Sequence, residues 1–182
     1  MTDQTMKIIG ITGGVGAGKS TVLNYLEKHL SACVIQADQV GHQVMEPGER
    51  CYAQVISLFG KNIVKNDNTI DRKAVSDVVF CNEQMRCRLN EIIHPAVKAF
   101  ILERIEEEQK NGRGLFVVEA ALLLEDHYDT ICHKIWYIHR SGNTDTAPYG
   151  KQRLQPPEGR EHYCKSGVRG LFSFTCRLCG DK

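Results

Sequence analysis

Residues 7–21 read KIIGITGGVGAGKST, and this stretch decides the fold. It opens on Lys7–Thr12, a short apolar run rich in β-branched residues, which predicts a β-strand. Two glycines follow the run. Apolar residues then recur at helical spacing, at Val22, Leu23, Leu26 and Leu30. The order of strand, glycine-rich loop and helix predicts the first unit of a parallel α/β sheet.

The loop fits the pattern Gly13-x4-Gly18-Lys19-Ser20, which matches phosphate-binding loops at every fixed position. Glycines suit such a loop because backbone N–H groups must come close to phosphate oxygens, which a Cβ would obstruct. Lys19 is expected to reach the β- and γ-phosphates of ATP or GTP, and Ser20 is expected to coordinate Mg²⁺. The predicted nucleotide-binding residues are Gly14, Gly16, Ala17, Gly18, Lys19, Ser20 and Thr21.

Three further apolar runs predict strands at Ala32–Ile35, Leu115–Val118 and Lys134–Ile138. Helical patterns separate the runs, and one of these helices is predicted to begin near Asp71. Strands that alternate with helices predict a parallel sheet covered on both faces. The expected fold is therefore a three-layer α/β/α arrangement.

The 182 residues carry 23 Lys plus Arg against 22 Asp plus Glu, a formal charge of +1. This balance excludes a strongly basic surface that holds nucleic acid, so we expect a small-molecule partner instead. The chain has no apolar run near the roughly 18 residues that a membrane helix needs, and MTDQTMK lacks the apolar stretch of a secretory signal. We therefore expect a cytoplasmic protein without membrane contact, either a monomer or a weak homo-oligomer.

Polar residues outside the loop allow two interpretations each. Asp38 directly follows the second strand, where it could be a general base for phosphoryl transfer or the N-cap of the next helix. His94 precedes a proline, which predicts a helix boundary and favours a structural role. Arg72 taken alone is typical of a solvated surface charge. Glu119 and Glu125 flank ALLL after the third strand, where one of them could orient Mg²⁺ or its water, or an acid could start a helix.

Segments spread over about Lys7–Arg140 together resemble the dephospho-coenzyme A kinases. The segments are GITGGVGAGKSTV, the AD of QADQVGH, the LFG of SLFGKNI, the IDR of TIDRKAV, the VF of VVFCN, IIHPAV and VVEAALLLE. Few other phosphate-loop kinases combine IDR, HP and a leucine pair in this order. Two positions depart from the family, since Gln36 stands where many members have Asp and Ala121 where many have Pro.

The resemblance implies a P-loop NTPase fold with a helical acceptor-binding region at about 49–111 and a lid. It also implies a kinase that uses ATP and Mg²⁺ to phosphorylate the ribose 3′-hydroxyl of dephospho-CoA, the last step of coenzyme A biosynthesis. Asp38 is then the catalytic base, beside Lys19. The residues implied on the acceptor side are Asp38, Arg72, His94, Leu122 and Leu123. The alternatives are a nucleoside or nucleotide monophosphate kinase, and a nucleotide-binding regulatory protein without transferase activity.

The resemblance stops near Arg140, which divides the chain into a kinase domain at 1–140 and an atypical tail at 141–182. Ile and Val are frequent up to this point and are then represented by Val168 alone, and we find no sustained helical or strand period. The arginine-bearing lid of the family is not recognisable there. A one-base shift of the reading frame near Gly142 would explain the change. We therefore expect the tail to be disordered or out of frame, and this chain to turn over poorly.

Overall fold

The computed structural model describes residues 5–140 and the backbone of one further strand, Phe172–Leu178. Two compact units are present in the chain. The first combines the N-terminal residues up to Gln36 with the residues from Glu107 onward, and the second is Ala37–Glu106. The rest of the tail predicted at 141–182 lies outside the described residues.

A β-sheet forms the centre of the first unit. Its strands are β1 (Lys7–Gly13), β2 (Cys33–Gln36), β3 (Leu115–Glu119), β4 (Lys134–Arg140) and β5 (Phe172–Leu178). The order across the sheet is β2-β3-β1-β4-β5. The first four strands are parallel, and β5 pairs antiparallel with β4. The predicted α/β fold with a central parallel sheet is confirmed, whereas β5 falls in a region where we predicted no strand.

The first helix, α1 (Lys19–Leu30), packs its apolar face on this sheet. Val22, Leu23 and Leu26 are buried in one cluster with Ile11 of β1, as the helical spacing predicts. Leu30 was expected on the same face, but it is 54% exposed because it lies in the last turn of the helix, next to the C-cap.

The far end of α1 is tied to the segment that enters β3. Ser31, the C-cap residue, adopts a left-handed conformation with φ 50°. Arg113 donates from Nη1 to the Ser31 carbonyl at 3.0 Å and from Nε to Glu108 Oε2 at 2.6 Å. Glu108 is only 3% exposed, so its carboxylate needs such a partner. The guanidinium therefore joins two elements through charged hydrogen bonds.

The second unit is helical. Its helices are α2 (Ala37–Gln43), α3 (Tyr52–Phe59), α4 (Arg72–Cys81) and α5 (Glu83–Lys110), the last of which runs on into the first unit. Asp71 caps α4 by accepting hydrogen bonds from the backbone N–H groups of Lys73 and Ala74, at 3.0 and 3.2 Å. The predicted helix start near Asp71 is confirmed. The helical region predicted at 49–111 overlaps this unit.

The helix boundary predicted at His94-Pro95 is wrong, because α5 continues through the proline. A proline inside a helix costs about 3 kcal/mol through its missing N–H and its clash with the preceding turn. Leu89 before the proline and Val97 and Ile101 after it are all buried, at 9%, 5% and 0% exposure. Burial of each such side chain contributes about 1.5–3 kcal/mol, so the packed stripe outweighs the local cost.

Candidate functional site

The glycines of the loop between β1 and α1 have different structural roles. Gly13 has φ 149°, and a Cβ added to it would lie 2.2 Å from the Ile138 carbonyl oxygen of β4. Only glycine fits this close approach of two strands. A Cβ added to Gly14 or Gly16 would meet no atom within 4 Å, so these residues border open space. Gly16 and Gly18 have φ of 74° and 90°, which glycine adopts without strain.

The remaining predicted loop residues anchor the loop or stay accessible. Ala17 is 7% exposed and packs in the core cluster of the first unit. Gly18 is the N-cap of α1 and accepts from the N–H of Thr21 at 3.1 Å. Ser20 and Thr21 are exposed in the first turn of the helix, where backbone N–H groups lack intrahelical acceptors. The loop thus combines a fixed base with exposed donors and hydroxyls.

Lys19 folds back over the loop that precedes it. Its ammonium donates to the carbonyl oxygens of Gly13 and Gly14, at 2.8 and 3.2 Å. The same Nζ lies 3.7 Å from Glu119 Oε1. The Lys19 side chain is 18% exposed and the Glu119 side chain 9%, so water screens this ion pair less than it screens a surface pair.

Glu119 is placed by the register of three parallel strands. It ends β3 and pairs with Ile11 of β1 on one side and with Gln36 of β2 on the other. The carboxyl ends of these strands meet at one edge of the sheet, where ligands bind in open α/β folds.

The sequence did not decide whether Glu119 or Glu125 could orient Mg²⁺ or its water, and the structure places the two residues differently. Glu119 is 7% exposed and lies beside Lys19, whereas Glu125 is exposed in a turn. Neither residue starts a helix, so that interpretation is wrong for both. The proximity of Glu119 to the loop lysine could have been anticipated from its position at the end of a strand parallel to β1.

Asp38 lies in the first turn of α2, and its side chain is exposed. It is the second residue of that helix and not its N-cap, so the capping interpretation is wrong. An acidic residue in a first turn interacts favourably with the helix dipole. The role of Asp38 as a catalytic base stays a prediction.

Two predicted acceptor residues belong to the second unit. Arg72 is the first residue of α4, exposed, and its Nη2 donates to Glu46 Oε1 at 2.9 Å. His94 is half-buried within α5. A cavity of about 630 Å³ opens in this unit beside Pro95, and neither Arg72 nor His94 lines it. This cavity therefore does not bring the two residues together.

The predicted leucine pair divides between surface and core. Leu122 is 42% exposed, whereas Leu123 is fully buried. Leu123 packs over Gly10 of β1 so closely that a Cβ on this glycine would lie 2.9 Å from its Cδ1. The Leu123 side chain is thus enclosed by the core and supports the sheet, and its place on the acceptor side stays a prediction.

The described residues hold neither a cluster of metal-ligating side chains nor a membrane-spanning helix. Within residues 5–140, no group of three or more His, Cys, Asp or Glu side chains is placed to hold a metal ion. In the same part of the chain, no helix combines the length and the apolar character that crossing a membrane requires.

Comparison with curated proteins gives relatives that share one name. The dephospho-CoA kinase of Shouchella clausii is 37% identical over 158 residues, which cover 80% of this chain and 79% of the relative. The dephospho-CoA kinase of Geobacter sulfurreducens is 37% identical over 134 residues, covering 74% and 68%.

Solved structures agree in fold. A crystal structure of a Thermus thermophilus protein superposes with a TM-score of 0.61 at 26% identity, covering 74% of this chain and 65% of the other. Dephospho-CoA kinase from Campylobacter jejuni gives a TM-score of 0.58 at 27% identity, covering 72% and 65%. The matched part of this chain thus spans slightly less than two thirds of each solved chain.

The sequence profile of dephospho-CoA kinases matches residues 7–147, which is most of the chain and includes β1 to β4, the loop and all helices of the second unit. The chain therefore belongs to the dephospho-CoA kinase family, a family of phosphotransferases.

Proposed function

We propose that this chain transfers the γ-phosphoryl group of ATP to the ribose 3′-hydroxyl of dephospho-CoA, giving coenzyme A and ADP. The observation that carries the proposal is the loop geometry, in which Lys19 and the open faces of Gly14 and Gly16 lie at the carboxyl edge of the sheet in a chain of this family. We further propose that the enzyme acts in the cytoplasm as a monomer or a weak homo-oligomer.

The loop binds the phosphate chain through its backbone. The open space beside Gly14 and Gly16 admits phosphate oxygens, and the N–H groups at the start of α1 point toward them with the positive end of the helix dipole. Lys19 uses two of its three N–H donors on the carbonyls of Gly13 and Gly14, and the third is available for a phosphate oxygen. The ammonium then stabilises the charge that spreads over the transferring group.

The side chains at this edge suit Mg²⁺. Ser20 offers an exposed hydroxyl and Glu119 a nearly buried carboxylate, and hard oxygen ligands of this kind are those that Mg²⁺ prefers. Ser20 would bind the ion directly, and Glu119 would bind it or its water. Held there, Mg²⁺ would neutralise part of the charge on the phosphates.

We assign the acceptor side to four residues. Asp38 takes the proton from the 3′-hydroxyl as that oxygen attacks in line with the leaving ADP. Arg72 binds an anionic group of the acceptor, which replaces Glu46 as the partner of the guanidinium. His94 and the exposed Leu122 complete this side. The arginines of a lid would exclude water and stabilise charge further, and because the family's lid pattern is not recognisable in the tail, we expect slow turnover.

The proposal is tested by measuring ADP release from MgATP with dephospho-CoA, adenosine or nucleoside monophosphates as acceptor. The chain is compared with a version whose tail is restored to the shifted reading frame, and Lys19→Met serves as the inactive control. We expect dephospho-CoA alone to stimulate ADP release. The stimulation should be weak in the chain with its present tail and strong in the chain with the restored tail. Stimulation by a nucleoside monophosphate instead would identify a different acceptor, and nucleotide binding without stimulation by any acceptor would favour a regulatory protein.

A further inference from the structure

The cavity beside Pro95 is lined by residues of α5, of α3 and of the turn before α3, all in the second unit. Its volume of about 630 Å³ is within the range of sites for small molecules. One wall carries the polar side chains of Gln54 and Ser57, which are exposed one turn apart on α3. The other wall includes Ile92 and Pro95 of α5. The cavity therefore suits a ligand that combines apolar carbon atoms with hydrogen-bonding groups.

Pro95 changes the hydrogen bonding of the α5 backbone at this wall. It has no N–H, so the carbonyl of Glu91, four residues earlier, lacks its helical donor. Glu91 also lines the cavity. The next carbonyl, that of Ile92, accepts from the thiol of Cys51, another lining residue, at 3.6 Å. The opposite wall thus already bonds one carbonyl of this turn, and the Glu91 carbonyl can accept an N–H from a ligand.

The lining residues disfavour two parts of dephospho-CoA. No aromatic ring is among the lining residues that the structure describes, so they offer no stacking partner for adenine. Arg50 is the one cation in the same set, but it pairs with Glu103, and Glu91 adds an acid to the wall. Phosphate groups are therefore not attracted to the cavity. The part of the substrate that remains is the pantetheine arm, in which two amide groups are joined by apolar carbon atoms.

The arm is long enough to reach the cavity from the anion site proposed at Arg72. Arg72 contacts Glu46, which precedes Arg50 of the cavity by four positions. Four residues of extended chain span at most about 14 Å, and a turn closed by the N–H of Glu49 on the Glu46 carbonyl shortens this path. The arm has about twelve bonds along its length, as many as four residues of backbone, so its reach is similar.

We propose that this cavity binds the pantetheine arm of dephospho-CoA, and that the Glu91 carbonyl, left without its helical donor by Pro95, accepts an amide N–H of the arm. Gln54 and Ser57 donate to the amide carbonyls of the arm from the other wall. The inference rests on the proposed function, since it takes dephospho-CoA as the acceptor. It gives the proline inside α5 a role in binding, because the proline makes a backbone acceptor available to the ligand.

The test measures dissociation constants by calorimetry in the full chain, saturated with Mg²⁺ and a non-hydrolysable ATP analogue. The ligands are dephospho-CoA and ADP-ribose, which keeps the adenosine diphosphate but has a sugar in place of the arm. Ser57→Trp places a large ring in the cavity from an exposed position of α3. It should weaken binding of dephospho-CoA at least about tenfold, since one methylene too many in a fitted pocket costs about that much. Binding of ADP-ribose should not change.

Pro95→Ala returns a helical N–H to the Glu91 carbonyl and so removes the acceptor from the cavity. Binding of dephospho-CoA should weaken about fivefold, the usual size for one hydrogen bond, whereas binding of ADP-ribose should again not change. Removal of the proline favours the helix, so weaker binding would not come from a loss of structure. Thermal melting of each variant establishes that it is folded.

Asn90→Trp is the matched control, since it places the same ring at an exposed position of α5 outside the cavity lining and should leave both constants unchanged. The cavity assignment is overturned if Ser57→Trp binds dephospho-CoA as the unchanged chain does, or if it weakens ADP-ribose equally. The role of the Glu91 carbonyl is overturned if Pro95→Ala keeps the affinity for dephospho-CoA. Failure of the unchanged chain to bind dephospho-CoA at all would instead overturn the proposed function, and the inference with it.

Discussion

The Cys51 thiol lies 3.6 Å from the carbonyl oxygen of Ile92, to which it donates a hydrogen bond. Ile92 lies in the turn of α5 just before Pro95, whose missing N–H leaves the carbonyl of Glu91, four residues earlier, without its helical donor. Cys51 is 1% exposed, and burial raises the pKa of its thiol, so the proton is retained for donation. The thiol thus joins the N-cap of α3 to the backbone of α5, at a carbonyl next to the one that the proline leaves without a donor.

Replacing Cys51 by alanine should lower the free energy of unfolding by about 1–2 kcal/mol, since it leaves a small cavity and removes the donor to Ile92. Chemical denaturation measures the loss. In a Pro95→Ala background, the regained N–H bonds the Glu91 carbonyl and leaves the Ile92 acceptor unchanged, so the same Cys51 change should cost about as much there. A clearly smaller cost in that background would show that the thiol compensates for the proline.

Two neighbouring glycines should respond in opposite ways to alanine. Gly13→Ala should destabilise the fold by about 3 kcal/mol, because the new Cβ cannot coexist with the Ile138 carbonyl 2.2 Å away and β1 must shift from β4. Gly14→Ala has room for its Cβ and should change stability by less than about 1 kcal/mol, while weakening ATP binding because the methyl group enters space that phosphates need. Thermal melting and nucleotide titration separate the two effects. A stable Gly13→Ala variant would contradict the close approach of the strands.

Tyr128 should make the fold less stable at high pH. Burial, assisted by the charge of Asp126, raises the pKa of this phenol from 10.0 to about 12. As pH rises through this interval, the unfolded chain releases the phenolic proton first, so the free energy of unfolding falls. Tyr128→Phe should flatten the decline between about pH 10 and 12, as measured by denaturation at a series of pH values. An unchanged slope would mean that other groups cause the loss.

Asp38→Asn should lower kcat by about 10²–10⁴, the usual size of a general-base contribution, and should leave the affinity for ATP unchanged. The measurement is ADP release with dephospho-CoA in the chain with the restored tail. Asp77→Asn, which removes an exposed acid from α4, is the matched control and should keep full activity. An active Asp38→Asn variant would show that Asp38 is not the catalytic base. Its interaction with the dipole of α2 would then be the role that remains.

Local patterns predicted the sheet and the loop well. The four predicted strands agree with β1 to β4 within two residues at each end, because short apolar runs bounded by turn residues have few alternatives in an α/β chain. The loop pattern placed Lys19 at the start of α1. The sequence left Glu119 and Glu125 as two candidates, since only the strand register decides which of them lies near Lys19.

Tertiary packing decided the features that the sequence did not predict. The continuation of α5 through Pro95 depends on the buried stripe around it, which no local propensity describes. The burial of Leu123 depends on the absence of a side chain at Gly10, a residue distant in the sequence.

The strand Phe172–Leu178 has a local signal that we overlooked: apolar and polar residues alternate strictly in FSFTCRL.

Arg113 fixes the end of α1 that is remote from the phosphate loop, by its hydrogen bonds to Ser31 and Glu108. A helix held at that end does not have to be ordered when a ligand arrives at its other end, so little conformational entropy is lost on binding. The positive charge of the guanidinium also matches the negative pole of the helix. Nucleotide capture should consequently be governed by the rate of diffusional encounter and not by a slow rearrangement of the helix.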